Sequence, residues 1–576
     1  MPPFTLLRPV VPFVVALCAA LALVALRALW RWRSVPSGAW LLLDLHGPIT
    51  EVPRAIPRWQ RWIGRRAPLA LSDIRRVLRV AANDPSLSGL LVRVREPELG
   101  WATAESLRDA IALVRAANKR TVAFLPFGGA NKELLIASAC AEIFATPPAT
   151  IGPLGVSIGS NFFRSALGKL GIHVEVLSRK EFKSAAESFA RDSMSEPNRA
   201  QTEALADALI DSVQRALVQS RRMDAERARA FIDKTPVRAR QAHELGVLDG
   251  AMYEDELLAK LREPSAVMPF ARLVDFDRYA SARARPPRAT RARKRVAIVE
   301  VRGPIAVDGG RSTQDRVADV ARVTAAIRAC AESKSVGAVV LLVDSPGGSA
   351  LASDLIAREV ERLRDKKPVV AYFGDVAASG GYYVAALAHR IVAQRTTITG
   401  SIGVVAMRVV VEKAADKLGV THESVDRGAH ANLYSPYRSW TEDERATLDQ
   451  SIDEVYTDFV RIVAKGRSMS EQQVEERARG RVYPAQQALE LGLIDEIGDL
   501  SAAIRAAAER ASIDPTLPAI RVVRAPTDLP PIAPPEAKST LASALLPEAA
   551  PWLALARTIE RETVLLVDER VLGAKL

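Results

Sequence analysis

Three cysteines in 576 residues, Cys18, Cys140 and Cys330, are too few and too scattered for a disulfide framework or a thiolate metal site. They leave the redox compartment open. The six histidines include no HExxH or comparable pair, so neither a metal nor a cofactor is implied. Helix-turn-helix and zinc-finger spacings are missing too, and the arginines are spread widely. The net charge of +12 therefore points to no nucleic-acid partner. What is plentiful is globular material, 48% apolar and 25% charged. Its length exceeds what one core supports, so at least two domains are expected.

Near the amino end, Pro9 to Leu26 is an unbroken apolar run closed by Arg27, Trp30, Arg31, Trp32 and Arg33. Its length suits a bilayer crossing with snorkelling flanks. The basic residues follow the run, which favours an uncleaved anchor at residues 9–30 over a cleaved signal peptide. Trp40 to Leu45 reads as a buried strand ended by Gly47-Pro48. From Val52 to Arg66, tryptophans and arginines mix, a composition equally suited to a membrane surface and to a solvated loop. Helical and strand-like runs then alternate (71–82, 89–94, 104–117, 121–125), which argues α/β units.

The chain repeats itself. His46-Gly47-Pro48-Ile49 returns as Arg302-Gly303-Pro304-Ile305, and Thr121-Val122-Ala123-Phe124 as Val369-Val370-Ala371-Tyr372. Ile151-Gly152-Pro153-Leu154-Gly155-Val156 returns as Thr399-Gly400-Ser401-Ile402-Gly403-Val404. A nearly constant offset, far too long for a solenoid, means two homologous domains. The expected division is residues 38–262 and 296–512, joined by a basic linker at 263–295 and followed by a Pro-rich, largely mobile tail at 513–576. One late helix is expected in that tail near 552–562.

Comparing the repeats shows what each has lost. Ser379 sits within a small-residue turn, Gly374 to Gly381, between a strand-like run and an apolar helix, where free N–H groups could serve an oxyanion. The same place also suits a plain N-cap. Its counterpart is Asn131, and Gly380 and Gly381 fall on Lys132 and Glu133. Conversely, the stretch Arg179 to Phe189 holds Lys183, whereas its counterpart Arg427 to Tyr437 has no lysine. His389 lies in the apolar helix and reads as a satisfied core residue. Serine thus survives in one repeat and lysine in the other. A lysine can act as general base when burial or nearby positive charge depresses its pKa, although a lone lysine is far more often a surface residue.

DSPGG at Asp344–Gly348, ASGGYY at Ala378–Tyr383, TGSIGV at Thr399–Val404 and EFKSAAESF at Glu181–Phe189 together resemble the long, two-repeat form of the signal peptide peptidase A family. The resemblance implies an α/β fold of two tandem crotonase/Clp-like repeats behind an N-terminal transmembrane helix. It implies a serine endopeptidase with Ser379 as nucleophile, Lys183 as base, Ser401 holding the lysine amine, and N–H groups of Gly348 and Gly380 as the oxyanion hole. Its substrates would be remnant signal peptides and other unfolded or membrane-released peptides. Its partners would be membrane lipid and further copies of itself, as a tetramer. Its place would be the bacterial plasma membrane, with the body outside the cytoplasm, whereas the arginines after the apolar run alone favour a cytoplasmic body. Two other readings share parts of this pattern: a non-catalytic membrane scaffold that retains the fold, and an acyl-CoA-processing crotonase.

Overall fold

The structure, a computed structural model of the chain, describes residues 35–54, 67–262, 271–284, 294–307, 317–515, 520–521 and 564–567. The expected anchor at 9–30, most of the Trp/Arg stretch and the expected late helix at 552–562 lie outside the described residues. So do residues 263–270 and 285–293 of the linker and most of the tail. Among the described residues no helix is long and apolar enough to cross a membrane.

The chain divides into two compact units. The first comprises Met1–Glu98, Leu107–Leu154 and Ala216–Pro286. The second comprises Leu99–Ser106, Gly155–Arg215 and Pro287–Leu576. Residues 155–215, which the sequence repeat assigns to its first copy, therefore cluster with the serine-bearing half.

The first unit is built on a seven-stranded parallel sheet. Its order is Gly250–Ala251, Glu142–Ala145, Arg120–Leu125, Leu87–Glu98, Ala39–Thr50 and Leu273–Asp275, with Leu69–Ala70 also paired to Ala39–Thr50. Trp40, Leu42, Leu91, Val122, Phe124 and Phe144 form one buried cluster, and the Trp40 indole donates to Leu261 O at 3.1 Å. The first strand does not stop at Gly47-Pro48 as expected. Its register with Leu87–Glu98 shifts between His46 and Gly47, and pairing then resumes as far as Thr50. Gly47, at φ +61°, absorbs that bulge without ending the strand.

The second unit holds two sheets. The larger has the order Val482–Pro484, Ile398–Gly400, Val369–Ala378, Val336–Ser345, Arg295–Arg302 and Ile520–Arg521, with Arg390–Ala393 paired to Val369–Ala378 and Glu496–Ile497 beyond it. All its pairs are parallel except Ile398–Gly400 with Val482–Pro484. The run Val339-Val340-Leu341-Leu342-Val343 is buried on both faces, as a central parallel strand must be. Each such side chain stabilises the fold by roughly 1.5–3 kcal/mol. Both units thus share a mixed α/β architecture with parallel sheets. The pairing of Val122 with Glu142 in one is mirrored by that of Val370 with Arg390 in the other. The smaller sheet runs Ala318–Asp319, Ile305–Ala306, Gly347–Ser349, Val564–Val567, Val405–Val410 and His173–Ser178. It brings a strand from residues 173–178 and one from the far tail against the serine-bearing half.

Candidate active site

The strand Val369–Ala378 ends in Ala377 and Ala378, both fully buried, and delivers Ser379 at φ +55° and ψ −119°. A non-glycine residue there is strained by about 1–3 kcal/mol, so the surroundings must fix it. Two backbone bonds do so. Ser379 N–H donates to Gly400 O at 2.8 Å, and Tyr383 N–H donates to Ser379 O at 2.9 Å. The helix Gly380–Ala385 follows, and every one of its residues is buried. The Ser379 hydroxyl makes no capping bond, so the plain N-cap reading does not describe it. Small residues are required in this turn. A Cβ on Gly380 would stand 2.5 Å from Ser353 Oγ and 3.3 Å from Gly348 N. The two glycine turns therefore meet at Ser379, and Gly348 takes φ +153°.

Lys183 comes from a loop that follows the strand His173–Ser178. Arg179 N–H donates to Val404 O at 2.9 Å and Phe182 N–H donates to Arg479 O at 3.2 Å, zipping this loop against two others. The side chain is only 4% exposed. Its Nζ lies 2.8 Å from Ser379 Oγ, 3.0 Å from Ser401 Oγ and 3.2 Å from Ser401 O. These three oxygens are all uncharged. Ser401 is itself held at φ +52° by its N–H, which donates to Arg481 O at 2.7 Å. Gly480, at φ +79°, backs the loop, since a Cβ there would sit 2.5 Å from Lys183 N. Neighbouring cations are paired: Arg179 with Asp449 and Asp453, Lys180 with Glu475, and Arg479 with Glu181.

Ser379, Lys183, Ser401, Gly348 and Gly380 thus meet inside one compact unit of one chain. The counterpart turn of the first unit is different. Asn131 begins the helix Asn131–Ala137, and the Glu133 carboxylate accepts from Ala130 N–H at 3.0 Å. His389 is half-buried, and its Nδ1 accepts from Val369 N–H at 3.1 Å. Burial, with Arg510 and Arg364 nearby, holds its pKa below the usual value. Among the described residues no cluster of His, Cys, Asp and Glu could hold a metal ion.

Sequence reasoning missed Gln201, on the helix Glu196–Arg221. Its fully buried amide donates to Phe182 O at 3.1 Å and Ser184 Oγ at 3.0 Å, either side of Lys183. It also accepts from Val482 N–H at 3.1 Å. Glu105, a buried acid, accepts from Thr396 N–H and Oγ1–H and from Ser212 Oγ–H. A lone Gln or Glu on a helix carries no signal in sequence, because the backbone and hydroxyl groups it bonds lie on other elements.

The family model for peptidase family S49 matches residues 115–268 and again 361–514. The chain belongs to peptidase family S49. It carries two S49 repeats and is a serine peptidase. Serine protease SPPA, chloroplastic, of Arabidopsis thaliana is 33% identical to this S49 peptidase over 513 residues, covering 87% of this chain and 74% of that one. Protease 4 of Haemophilus influenzae is 29% identical over 491 residues, covering 81% and 78%. A ClpP1 mutant structure from Listeria monocytogenes aligns with 35% of the chain and 91% of its own length, at 14% identity and a TM-score of 0.23.

Proposed function

We propose that this S49 peptidase is a membrane-anchored endopeptidase working through a Ser379/Lys183 dyad. The observation that carries the reading is the buried contact of 2.8 Å between Lys183 Nζ and Ser379 Oγ. Burial among uncharged oxygens disfavours an ammonium. A neutral amine has two N–H donors and one lone pair. Ser401 Oγ and O can take the two donors, which leaves the lone pair facing the Ser379 hydroxyl.

In the reaction, Ser379 Oγ attacks the peptide carbonyl carbon while its proton passes to Lys183 Nζ. The carbonyl oxygen becomes an oxyanion, met by N–H groups of Gly348 and Gly380. On collapse the C–N bond breaks, and Lys183 gives its proton to the leaving amine. Water then attacks the acyl ester, Lys183 takes the water's proton, and that proton returns to Ser379 Oγ as the acid product leaves. Substrates are remnant signal peptides and other unfolded or membrane-released peptides. The two repeats are of crotonase/Clp type. Residues 9–30 anchor the chain in the bacterial plasma membrane, with the body outside the cytoplasm in contact with lipid, and four copies assemble.

A fluorophosphonate probe tests the chemistry. It should label the wild type, fail on Ser379→Ala, and label Lys183→Ala slower by roughly 10⁴-fold, because dyad members act as a unit. Labelling of Lys183→Ala at the wild-type rate would remove lysine from the mechanism. An unlabelled wild type would leave a scaffold that keeps the fold.

A further inference from the structure

The stretch Leu99–Ser106 belongs to the serine-bearing unit, although the sequence repeat assigns it to the first copy. It contains the start of the helix Trp101–Ala116. Three of its buried polar side chains bond the segments that deliver the nucleophile. Thr103 donates its N–H and its hydroxyl to Asp375 at 3.0 and 2.9 Å. Ser106 Oγ accepts from the Gln394 amide at 3.0 Å. Between them, the Glu105 carboxylate accepts from Thr396 N–H at 3.1 Å and from Thr396 Oγ1–H at 3.0 Å. Its other oxygen accepts from Ser212 Oγ–H at 2.7 Å.

Each oxygen of Glu105 thus reaches a different support of the dyad. Thr396 leads into the strand Ile398–Gly400, which pairs with Val376–Ala378, accepts the Ser379 N–H at Gly400 O and runs on into Ser401. Thr397 and Thr399 lock this segment to its neighbour, donating their hydroxyls to Gly374 O at 2.8 Å and Ala377 O at 2.7 Å. Ser212 lies on the helix Glu196–Arg221, whose Gln201 bonds both flanks of Lys183. Gln201 and Ser212 are about three turns and ~16 Å apart along that helix, so they share a face. Held at Gln201 alone, the helix could swing about that point. A second mount at Ser212 fixes its direction. The fold itself does not require an acid at this place. The repeat sets Ser353 opposite Glu105, and that hydroxyl bonds inside its own turn, to Ser349 O at 2.8 Å.

We infer that Glu105 is a positioning residue for the dyad. Its carboxylate ties the helix that supports Lys183 to the segment that supports Ser379 and Ser401, and so sets the approach of the amine to the two hydroxyls. The inference rests on the reading of Ser379 and Lys183 as the catalytic pair.

The test uses the full chain. Glu105→Leu deletes all three bonds. Glu105→Gln keeps them, because its carbonyl oxygen accepts from Thr396 and its amide N–H donates to Ser212 Oγ. Active serines are counted by labelling with a fluorophosphonate to completion. Per labelled serine, Glu105→Leu should lower kcat for a short fluorogenic apolar peptide by roughly ten- to a hundredfold at unchanged KM, as misplacement of a reacting group does. Glu105→Gln should recover most of that loss. In Glu105→Leu the rising limb of the pH–rate profile should also move up toward the value of free lysine, about 10.4, as the loosened amine gains water. The labelling rate of Lys183→Ala should be nearly unaffected by adding Glu105→Leu, because groups that act as one unit are not additive. A wild-type kcat in Glu105→Leu, or an equal loss with and without Lys183, overturns the inference while leaving the dyad in place. Where Glu105→Leu does not fold, Ser212→Ala takes its part. It cuts only the mount on the helix and should lower kcat and shift the limb in the same directions, and an unchanged kcat and limb would overturn the inference. Labelling of Lys183→Ala at the wild-type rate is the separate result that removes the dyad, and the inference with it.

Discussion

At the scale of single residues, Lys183 bears the most consequence. An amine enclosed to 4% exposure, touching three uncharged oxygens, is favoured neutral. The rising limb of the pH–rate profile should therefore lie well below the value of free lysine, about 10.4. A limb that rises only near that value would mean that the amine is hydrated and charged in the working enzyme. Gln201 is the complementary case, acting on the base through the backbone. Gln201→Leu removes two bonds to the residues flanking Lys183 and one to Val482. Misplacing a reacting group by about 1 Å can cost about 100-fold. The expected result is a fall in kcat of roughly ten- to a hundredfold per probe-labelled serine, with KM unchanged. A loss that vanishes when rates are normalised to labelled serine would reduce Gln201 to a folding role.

At the scale of elements, the strand Val369–Ala378 carries both Ser379 and an acid that titrates. Asp375 accepts from Thr103 N–H at 3.0 Å and from its hydroxyl at 2.9 Å. Burial, then the nearby Asp344, pushes its pKa up to about 6. The ordinary carboxylate value is about 3.9. The folded state thus holds this proton more tightly than the unfolded chain does. Its contribution to stability is complete below about pH 4, declines as pH rises toward 6, and is gone above. Asp375→Asn has no such proton to lose. The thermal midpoint of wild type relative to Asp375→Asn should fall between pH 4 and pH 7, and parallel curves across that range would refute the assignment. The same elements show where sequence was readable. The turn at Ser379 announces itself, because close backbone approach demands glycines in a row. Lys183 emerges only by comparing the two repeats. Gln201 and the strand Val564–Val567 are silent, the first because a polar residue on a helix shows nothing of the loop and strand it bonds. The second is silent because four apolar residues in a Pro-rich context are ambiguous until two open edges are seen around them.

At the scale of the whole molecule, the two repeats divide differently in space than in sequence, with residues 155–215 clustering with the serine-bearing half. Repeat comparison detects shared ancestry of segments, whereas packing follows which apolar faces meet, so a sequence offset could not show that regrouping. For the proposed anchor, flanking charge and the resemblance to the signal peptide peptidase A family point to opposite orientations. Arg27, Arg31 and Arg33 follow the apolar run, yet long domains translocate with limited regard to charge. External protease should digest the body on right-side-out cells and spare it in inverted vesicles. The reverse pattern would place the body in the cytoplasm.

The pairing of Lys183 with Ser379 spans 196 residues of chain. At 5–20 residues per second, Lys183 emerges from the ribosome roughly 10–40 s before Ser379 does. The partner hydroxyl Ser401 and the strand Val405–Val410, against which the lysine-bearing segment packs, arrive later still. Throughout that interval the nascent polypeptide has a lysine loop with nothing to deprotonate. If the proposed dyad is the catalytic one, the chain is inert throughout its own synthesis until the last component of the site has been made.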